Sequence, residues 1–244
     1  MKRIFLSIIF LLISSTAHAD IVTGLVGWWK LDDGSGSSAV DSSGSNYTGS
    51  LVNAPSWVTG QIGPYALSLS HASGQYVHVP DLPVTGYPFT ITAWFKVSSN
   101  TSGTIASLNA GAVSGSGNSR YELYYNNNQV CIYTQDGIGD FDFPCGGSIS
   151  TGVWYQFTGV FASTSSFLVY LNGSPITSGS TGCSFSSPIE FDIGVDSAAV
   201  NYFDGTIDDV RIYNRALSLG DISELYSYTG KSFPQNAIYF GNDF

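Results

Sequence analysis

Acidic side chains at alternating positions are the feature of this chain that most directly indicates chemistry. In the segment 189–196, IEFDIGVD, strand alternation places Glu190 and Asp192 on one face, about 6.5 to 7 Å apart along the backbone. Retaining glycosidases use two carboxyl groups about 5 to 5.5 Å apart, one as nucleophile and one as general acid. This segment, which ends at Asp196, is therefore a candidate for glycoside hydrolysis.

Other carboxylates suggest a metal site. The turn-rich segment 32–46 contains Asp32, Asp33 and Asp41 but too few apolar residues to order itself, so a bound cation is a natural way to fix it. Calcium takes six to eight oxygen ligands, mostly from carboxylates and carbonyls in such loops. Asp208 and Asp209, on a later strand, could supply further ligands.

Alternation along that strand predicts that Asp208 shares the core-facing side with Val210 and Ile212. An ionised acid in that position costs several kcal/mol unless it is paired or binds a metal. The alternative to a metal is that Asp41 caps a turn and Asp208 pairs with Arg211 or Arg215.

Aromatic and amide side chains form a candidate ligand platform. The ligand-binding candidates share ring faces or amide groups suited to sugars, and they are Tyr124, Asn126, Asn128 and Trp57. Alternation in the segment 120–125 places Tyr121 and Tyr125 on one face and Tyr124 with Glu122 on the other, so part of the aromatic set is expected to be ordinary core. Carbohydrate is the ligand class that this platform favours.

The chain has three cysteines, Cys131, Cys145 and Cys183. Cys131 and Cys145 lie on neighbouring strand-like segments, so we predict a disulfide between them, with Cys145 to Cys183 as the rival pairing. One thiol is left over in either case. The cysteine spacings do not indicate zinc, and His71 and His78, which have no adjacent nucleophile, are interpreted as structural or exposed.

Residues 1–19 have the layout of a secretory signal peptide, with cleavage expected before Asp20. The mature chain would then carry 6 basic and 18 acidic residues, a balance that argues against nucleic acid as a partner. We find no further membrane-spanning segment and expect a secreted protein, extracellular or periplasmic. Its length suits one large domain over residues 20–229, with residues 230–244 as a tail or an added edge strand.

Short segments of strand periodicity separated by turns predict the elements that position these residues. The segment 89–97, FTITAWFKV, alternates cleanly, and Asn172-Gly173 is a strong hairpin signal. Near the C-terminus, Ser218 and Asp221 read as a capping box that begins one short helix. About a dozen strands without crossover helices predict an all-β fold, a two-sheet sandwich or a barrel.

Two distant motifs carry a family resemblance. Residues 203–218, FDGTIDDVRIYNRALS, resemble the closing strand of LamG-like jelly-roll domains of the concanavalin A-like lectin/glucanase superfamily. Residues 25–49, LVGWWKLDDGSGSSAVDSSGSNYTG, resemble the opening strand and DxSG loop of the same domains. The resemblance covers about 25–228 and implies an antiparallel jelly-roll sandwich. It also implies a structural calcium ion shared by Asp41 and Asp208.

The acidic segment 189–196 is similar to the ExDxxE signature of laminarinase-like glycoside hydrolases on the same fold. It departs from that signature at Asp196, because the family has glutamate there and the shorter side chain leaves the proton donor out of reach. We therefore expect a non-catalytic binding or adhesion module that recognises a glycan or an extracellular protein. A glycoside hydrolase or lyase and a structural surface or matrix component are the alternatives.

Overall fold

The computed structural model describes residues 21–80, 82, 84–110, 119–135, 141–180, 190–196 and 198–230. The predicted signal peptide, Cys183 and the predicted tail from residue 231 onward lie outside these residues. No helix in the described ranges is both long and apolar enough to cross a membrane.

Two antiparallel sheets account for the strands of the described chain. The first sheet has eight strands in the order β15-β14-β13-β7-β17-β5-β4, with β1 paired to β17. Its strands are β1 (Leu25–Trp29), β4 (Ser56–Thr59), β5 (Tyr65–Leu69), β7 (Phe89–Val97), β13 (Tyr155–Ser163), β14 (Ser166–Leu171), β15 (Ser174–Gly179) and β17 (Gly205–Tyr213).

The second sheet has nine strands in the order β11-β10-β9-β8-β16-β6-β3-β2, with β12 paired to β10. Its strands are β2 (Ser38–Ala39), β3 (Gly49–Val52), β6 (Tyr76–Pro80), β8 (Gly103–Ala110), β9 (Ser119–Asn126), β10 (Gln129–Gln135), β11 (Phe141–Asp142), β12 (Cys145–Gly146) and β16 (Glu190–Ile193). The predicted two-sheet all-β sandwich is confirmed.

Side chains that alternate along the strands fill the space between the sheets. Phe89, Ile91 and Phe95 of β7 belong to this core, as do Phe191 and Ile193 of β16. Because β16 sends its hydrophobic residues inward, its alternate residues Glu190 and Asp192 lie on the outer face of the second sheet.

The prediction that Asp208 faces the core is wrong, because the closing strand β17 contains a β-bulge. The pairing with β7 runs from Asp208↔Trp94 to Arg211↔Thr92, so β17 has one extra residue there, and Asp209 has a φ of 45°. Ile207 therefore joins Val210 and Ile212 in the core. Asp208 lies on the outer face of the first sheet, beside Trp94.

The predicted helix α1 (Leu219–Ser227) begins with a capping box. The Ser218 hydroxyl accepts from the Asp221 amide, and the Asp221 carboxylate accepts from the Ser218 amide at 2.8 Å. Ile222 and Leu225 pack with Tyr213 of β17 in a second hydrophobic cluster. The helix thus covers the outer face of the first sheet and leaves the outer face of the second sheet to other elements.

The predicted disulfide between Cys131 and Cys145 is present. The two residues are direct cross-strand partners on β10 and β12. The bridge fixes the short strand β12 against the hairpin of β9 and β10.

Candidate functional site

Polar side chains on the outer face of the second sheet form two rows that cross several strands. The pairing of β6, β16, β8, β9 and β10 sets both rows, since paired residues point to the same face. The first row is His78, Asp192, Ser107, Glu122 and Tyr133. The second row contains Glu190, Asn109 and Arg120. Most of these side chains are buried although they lie outside the hydrophobic core.

Arg120 is the centre of the site at the β9 end of these rows. Its Nη1 donates to Asp196 Oδ2 at 3.0 Å, and its Nη2 donates to the Tyr133 hydroxyl at 3.1 Å. Its Nε lies 3.2 Å from Glu122 Oε1, and its guanidinium stacks 4.6 Å over the Tyr133 ring. Three partners and one ring therefore hold the guanidinium in one orientation.

Glu122 is a buried carboxyl group with a pKa close to neutral pH. Burial raises its pKa to about 7, Arg120 opposes the shift, and the negative charge of Asp196 adds to it. The Thr104 hydroxyl donates to Glu122 Oε2 at 2.8 Å. This carboxyl group can therefore change its charge near neutral pH.

Asp196 binds the loop that follows β16 and the guanidinium of Arg120 at the same time. Its Oδ1 accepts from the Val200 amide at 3.0 Å, and its Oδ2 accepts from Asn201 Nδ2 at 2.8 Å as well as from Arg120. Because both oxygens are occupied, Asp196 orders the loop after β16 and does not present an open proton donor.

A cavity of about 150 Å³ opens beside Arg120. Its lining residues combine aromatic rings with charged and amide groups, and they are Arg120, Glu122, Tyr124, Tyr133, Phe143 and Asn201. The Phe143 ring lies 5.5 Å from the Tyr124 ring and 5.6 Å from the Tyr133 ring. Tyr124, predicted as a ligand-binding residue, thus lines the cavity.

The other end of the rows holds His78, Glu190 and Asp192. His78 Nδ1 lies 2.9 Å from Asp192 Oδ1, and Asn109 Nδ2 donates to Asp192 Oδ2 at 2.8 Å. Burial, together with the charge of the nearby Asp192, raises the pKa of Glu190 to about 7. Burial also raises the pKa of Asp192, although the hydrogen bond from His78 opposes this shift.

The remaining ligand-binding candidates lie away from the cavity. Asn126 Oδ1 accepts from the Ser102 hydroxyl at 2.9 Å, and Asn128 Oδ1 accepts from the Tyr125 hydroxyl at 3.1 Å. Asn128 also has the left-handed φ of 66° that its hairpin turn needs. Trp57 lies on β4 of the other sheet, where it packs against the interior core, so it does not share a surface with Tyr124.

Asp41 does not fit the predicted calcium site. Its Oδ1 accepts from the amides of Trp28 and Ser43, at 2.9 and 2.8 Å. Its Oδ2 accepts from the Ser43 hydroxyl and the Tyr47 amide, both at 2.9 Å. Four donors fill the lone pairs that a cation would need. Asp41 therefore has the geometry of the alternative, a turn cap.

Asp208 has a separate set of contacts. Its Oδ2 accepts from the amides of Gln61 and Ile62, at 2.7 and 2.8 Å, while its buried Oδ1 has no hydrogen-bond partner. Burial, with smaller contributions from the charges of Asp209 and Asp32, raises its pKa to about 8, although the two backbone hydrogen bonds oppose the shift. The alternative, an ion pair of Asp208 with Arg211 or Arg215, is absent among its described contacts.

Sequence reasoning missed Arg120 and Asn201 as members of the site. A usable signal existed at Arg120 and Glu122, because they alternate with the core residues Tyr121 and Leu123 in a chain with few charges. Asn201 had no such signal, since its place depends on the loop that Asp196 orders.

Comparisons with known proteins agree with the architecture. A laminin G family model of the concanavalin A-like lectin/glucanases superfamily matches residues 71–223. No curated protein matches the chain.

Solved structures share the fold at low sequence identity. Domain 4 of AbnA, a GH43 extracellular arabinanase from Geobacillus stearothermophilus, in complex with arabinotriose, matches with a TM-score of 0.63 and 22% identity, over 83% of this chain and 98% of that one. The binding domain of Paraclostridial Mosquitocidal Protein 1 matches with a TM-score of 0.68 and 16% identity, over 85% of this chain and 52% of that one. Trypanosoma rangeli sialidase, in complex with the inhibitor DANA, matches with a TM-score of 0.62 and 21% identity, over 83% of this chain and 32% of that one.

The chain therefore spans about half of the toxin domain and a third of the sialidase. At these identities the likeness shows the fold alone. Since the family model covers more than half of the chain and the observed two-sheet topology agrees with it, the chain belongs to the concanavalin A-like lectin/glucanases superfamily as a LamG-like jelly-roll domain.

Proposed function

We propose that this protein is a non-catalytic, extracellular binding module that takes a terminal glycan unit in the cavity beside Arg120. The observation that carries the proposal is the lining of that cavity, in which Tyr124, Tyr133 and Phe143 supply ring faces and Arg120 and Glu122 supply charged groups. Sugar rings have an apolar face that stacks on aromatic side chains and hydroxyls that bond to charged and amide groups.

The size of the cavity favours one unit over a polysaccharide chain. Drug-sized ligands occupy clefts of about 300 Å³ or more, whereas this cavity measures about 150 Å³. The fixed orientation of Arg120 reduces the ordering cost of binding, because the guanidinium is already held by Asp196 and Tyr133.

Two further observations support this role. The Cys131–Cys145 disulfide is typical of proteins outside the cytosol. Among the solved structures, AbnA domain 4 is in complex with arabinotriose, and the mosquitocidal protein segment is described as a binding domain. Both are consistent with recognition of an extracellular ligand.

A glycan array probed with the chain from residue 20 onward tests the proposal. We expect binding to glycans that share one terminal unit. Tyr124→Ala should weaken that binding about tenfold, which corresponds to the 1.4 kcal/mol at the upper end of an aromatic contact. Tyr65→Ala, on the other sheet, is the matched control and should bind as the unchanged protein does.

The alternative function, a glycoside hydrolase or lyase, has its own readout in the same experiment. Hydrolysis should release reducing sugar from an array-positive glycan, and Glu190→Gln should abolish the release. Such a result would replace the binding proposal with an enzymatic one. Absence of any glycan binding, with retention of a protein partner, would leave adhesion to protein or a structural matrix role.

A further inference from the structure

The ligand atoms of His78, Glu190 and Asp192 converge on one point of the outer face. One atom from each residue lies within 4.8 Å of the others, and in the described part of the chain no other group of three or more histidine, cysteine or acidic residues does so. His78 Nδ1 and Asp192 Oδ1 share a proton across 2.9 Å, and a cation that displaces this proton would hold the same two atoms as ligands at right angles. Bonds of about 2.1 Å would place such ligands about 3.0 Å apart.

Unpartnered oxygens on Glu190 and on its cross-strand neighbour are a second, independent observation. Glu190 is only 5% exposed, and its Oε1 is buried without a hydrogen-bond partner. Asn109, the direct cross-strand partner of Glu190, is fully buried and also has an unpartnered Oδ1. Its amide orientation follows from its Nδ2 donating to Asp192, which as a carboxylate can only accept.

Buried oxygens without partners are unfavourable, because folding has removed their hydrogen bonds to water. A cation beside Glu190 Oε1 would remove this cost and would also offset the repulsion between the two adjacent carboxylates. The His78 side chain is 32% exposed, so the cluster can be reached from solvent.

We propose that His78, Glu190 and Asp192 form a binding site for a divalent transition-metal ion, with Asn109 Oδ1 as a further oxygen donor. The imidazole nitrogen selects against calcium and magnesium, which prefer oxygen-only sites. A nitrogen with carboxylate oxygens suits Zn²⁺ or Mn²⁺, and the Irving–Williams order gives Zn²⁺ the higher affinity. The paired strands β16 and β6 carry all three of these ligands, with Asp192 directly opposite His78, so backbone pairing positions the site.

Isothermal titration of the tag-free mature chain with zinc chloride, and separately with manganese chloride, tests this site. We expect one equivalent of Zn²⁺ to bind and Mn²⁺ to bind more weakly at the same site. Since a changed outer-shell partner typically weakens metal binding about 10- to 100-fold, loss of a ligand should weaken it by at least tenfold. Glu190→Gln and His78→Gln should each have this effect.

Matched controls separate this site from other binding. Glu122→Gln removes a buried carboxylate from the same face and should leave zinc affinity unchanged, as should Cys183→Ser, which removes the thiol outside the disulfide. The proposal is overturned if no metal binds, if binding survives both Glu190→Gln and His78→Gln, or if it is lost only with Cys183→Ser. His78→Gln alters a partly exposed side chain and keeps the test decisive if Glu190→Gln does not fold.

Discussion

Asp209 and Arg211 form a buried ion pair two residues apart on strand β17. Arg211 Nη2 lies 3.0 Å from Asp209 Oδ2, and both residues are at most 3% exposed. Trp28 Nε1 donates to Asp209 Oδ1 at 2.6 Å, and the Trp28 ring lies 4.3 Å from the guanidinium. The pair ties the first strand of the chain to the closing strand.

Breaking this pair should destabilise the fold strongly. Asp209→Ala leaves a buried guanidinium without its counter-ion, and we expect a loss of about 3 to 5 kcal/mol in the free energy of unfolding. Arg211→Ala should cost a similar amount, whereas the double variant should cost clearly less than the sum. Urea denaturation of the four proteins measures this cycle, and additive losses would show that the two charges do not depend on each other.

Glu122 should make stability fall as pH rises toward neutrality. Its pKa is about 7 in the folded protein, raised by burial from an ordinary value of 4.5. Between these two values the folded state keeps a proton that the unfolded chain releases, so unfolding becomes more favourable as pH increases. The resulting loss of stability is complete above pH ~7 and amounts to roughly 3 kcal/mol in the free energy of unfolding.

Glu122→Gln should remove this part of the pH dependence. The measurement is the free energy of unfolding in urea at a series of pH values from 4 to 8, with Glu224→Gln on helix α1 as the control. A Glu122→Gln profile as steep as that of the unchanged protein would contradict the assignment.

Asp41→Asn should destabilise the protein equally in calcium and in EDTA. The amide nitrogen of asparagine cannot accept, so donors such as the Ser43 hydroxyl and the Tyr47 amide lose their acceptor. One or two such losses cost about 1 to 3 kcal/mol each. Thermal denaturation in both solutions measures the loss, and a loss confined to calcium would restore the calcium site inferred from the DxSG resemblance.

Removal of the disulfide should destabilise the second sheet. Cys131 and Cys145 are separated by 14 residues, and closing a loop of that size contributes about 3 kcal/mol in the chain-entropy description. We expect a Cys131→Ala, Cys145→Ala variant to lose about this amount, measured by urea denaturation. Equal stability of this variant and the unchanged protein would mean that β12 is held by its other contacts.

Local patterns were sufficient for most of the fold. The alternation of β7, the hairpin turn at Asn172-Gly173 and the capping box of α1 each depend on a few neighbouring residues, and each prediction agrees with the structure. The bulge at Asp209 was missed because alternation continues through it in the sequence, while the extra residue is visible only against the partner strand.

The candidate site depends on contacts that no local pattern encodes. Arg120 of β9 and Asp196, just after β16, meet because β9 and β16 both flank β8, although the two residues are distant along the chain. Trp57 and Tyr124 were both predicted as ligand-binding residues, yet they belong to different sheets. Residue type alone was enough to predict Tyr124 as a binding residue. The other residues that line the cavity could not be predicted without the register of the second sheet.

The position of β17 has a consequence for the order in which the protein can be assembled. It is the final strand of the described chain, yet it lies between β7 and β5 at the middle of the first sheet. A ribosome or export channel that releases the chain from its N-terminus delivers β5 and β7 with open edges, which are prone to pair with other chains. The first sheet can close only after residue 213 has emerged, so β5 and β7 must wait through the release of more than a hundred residues for the strand that joins them.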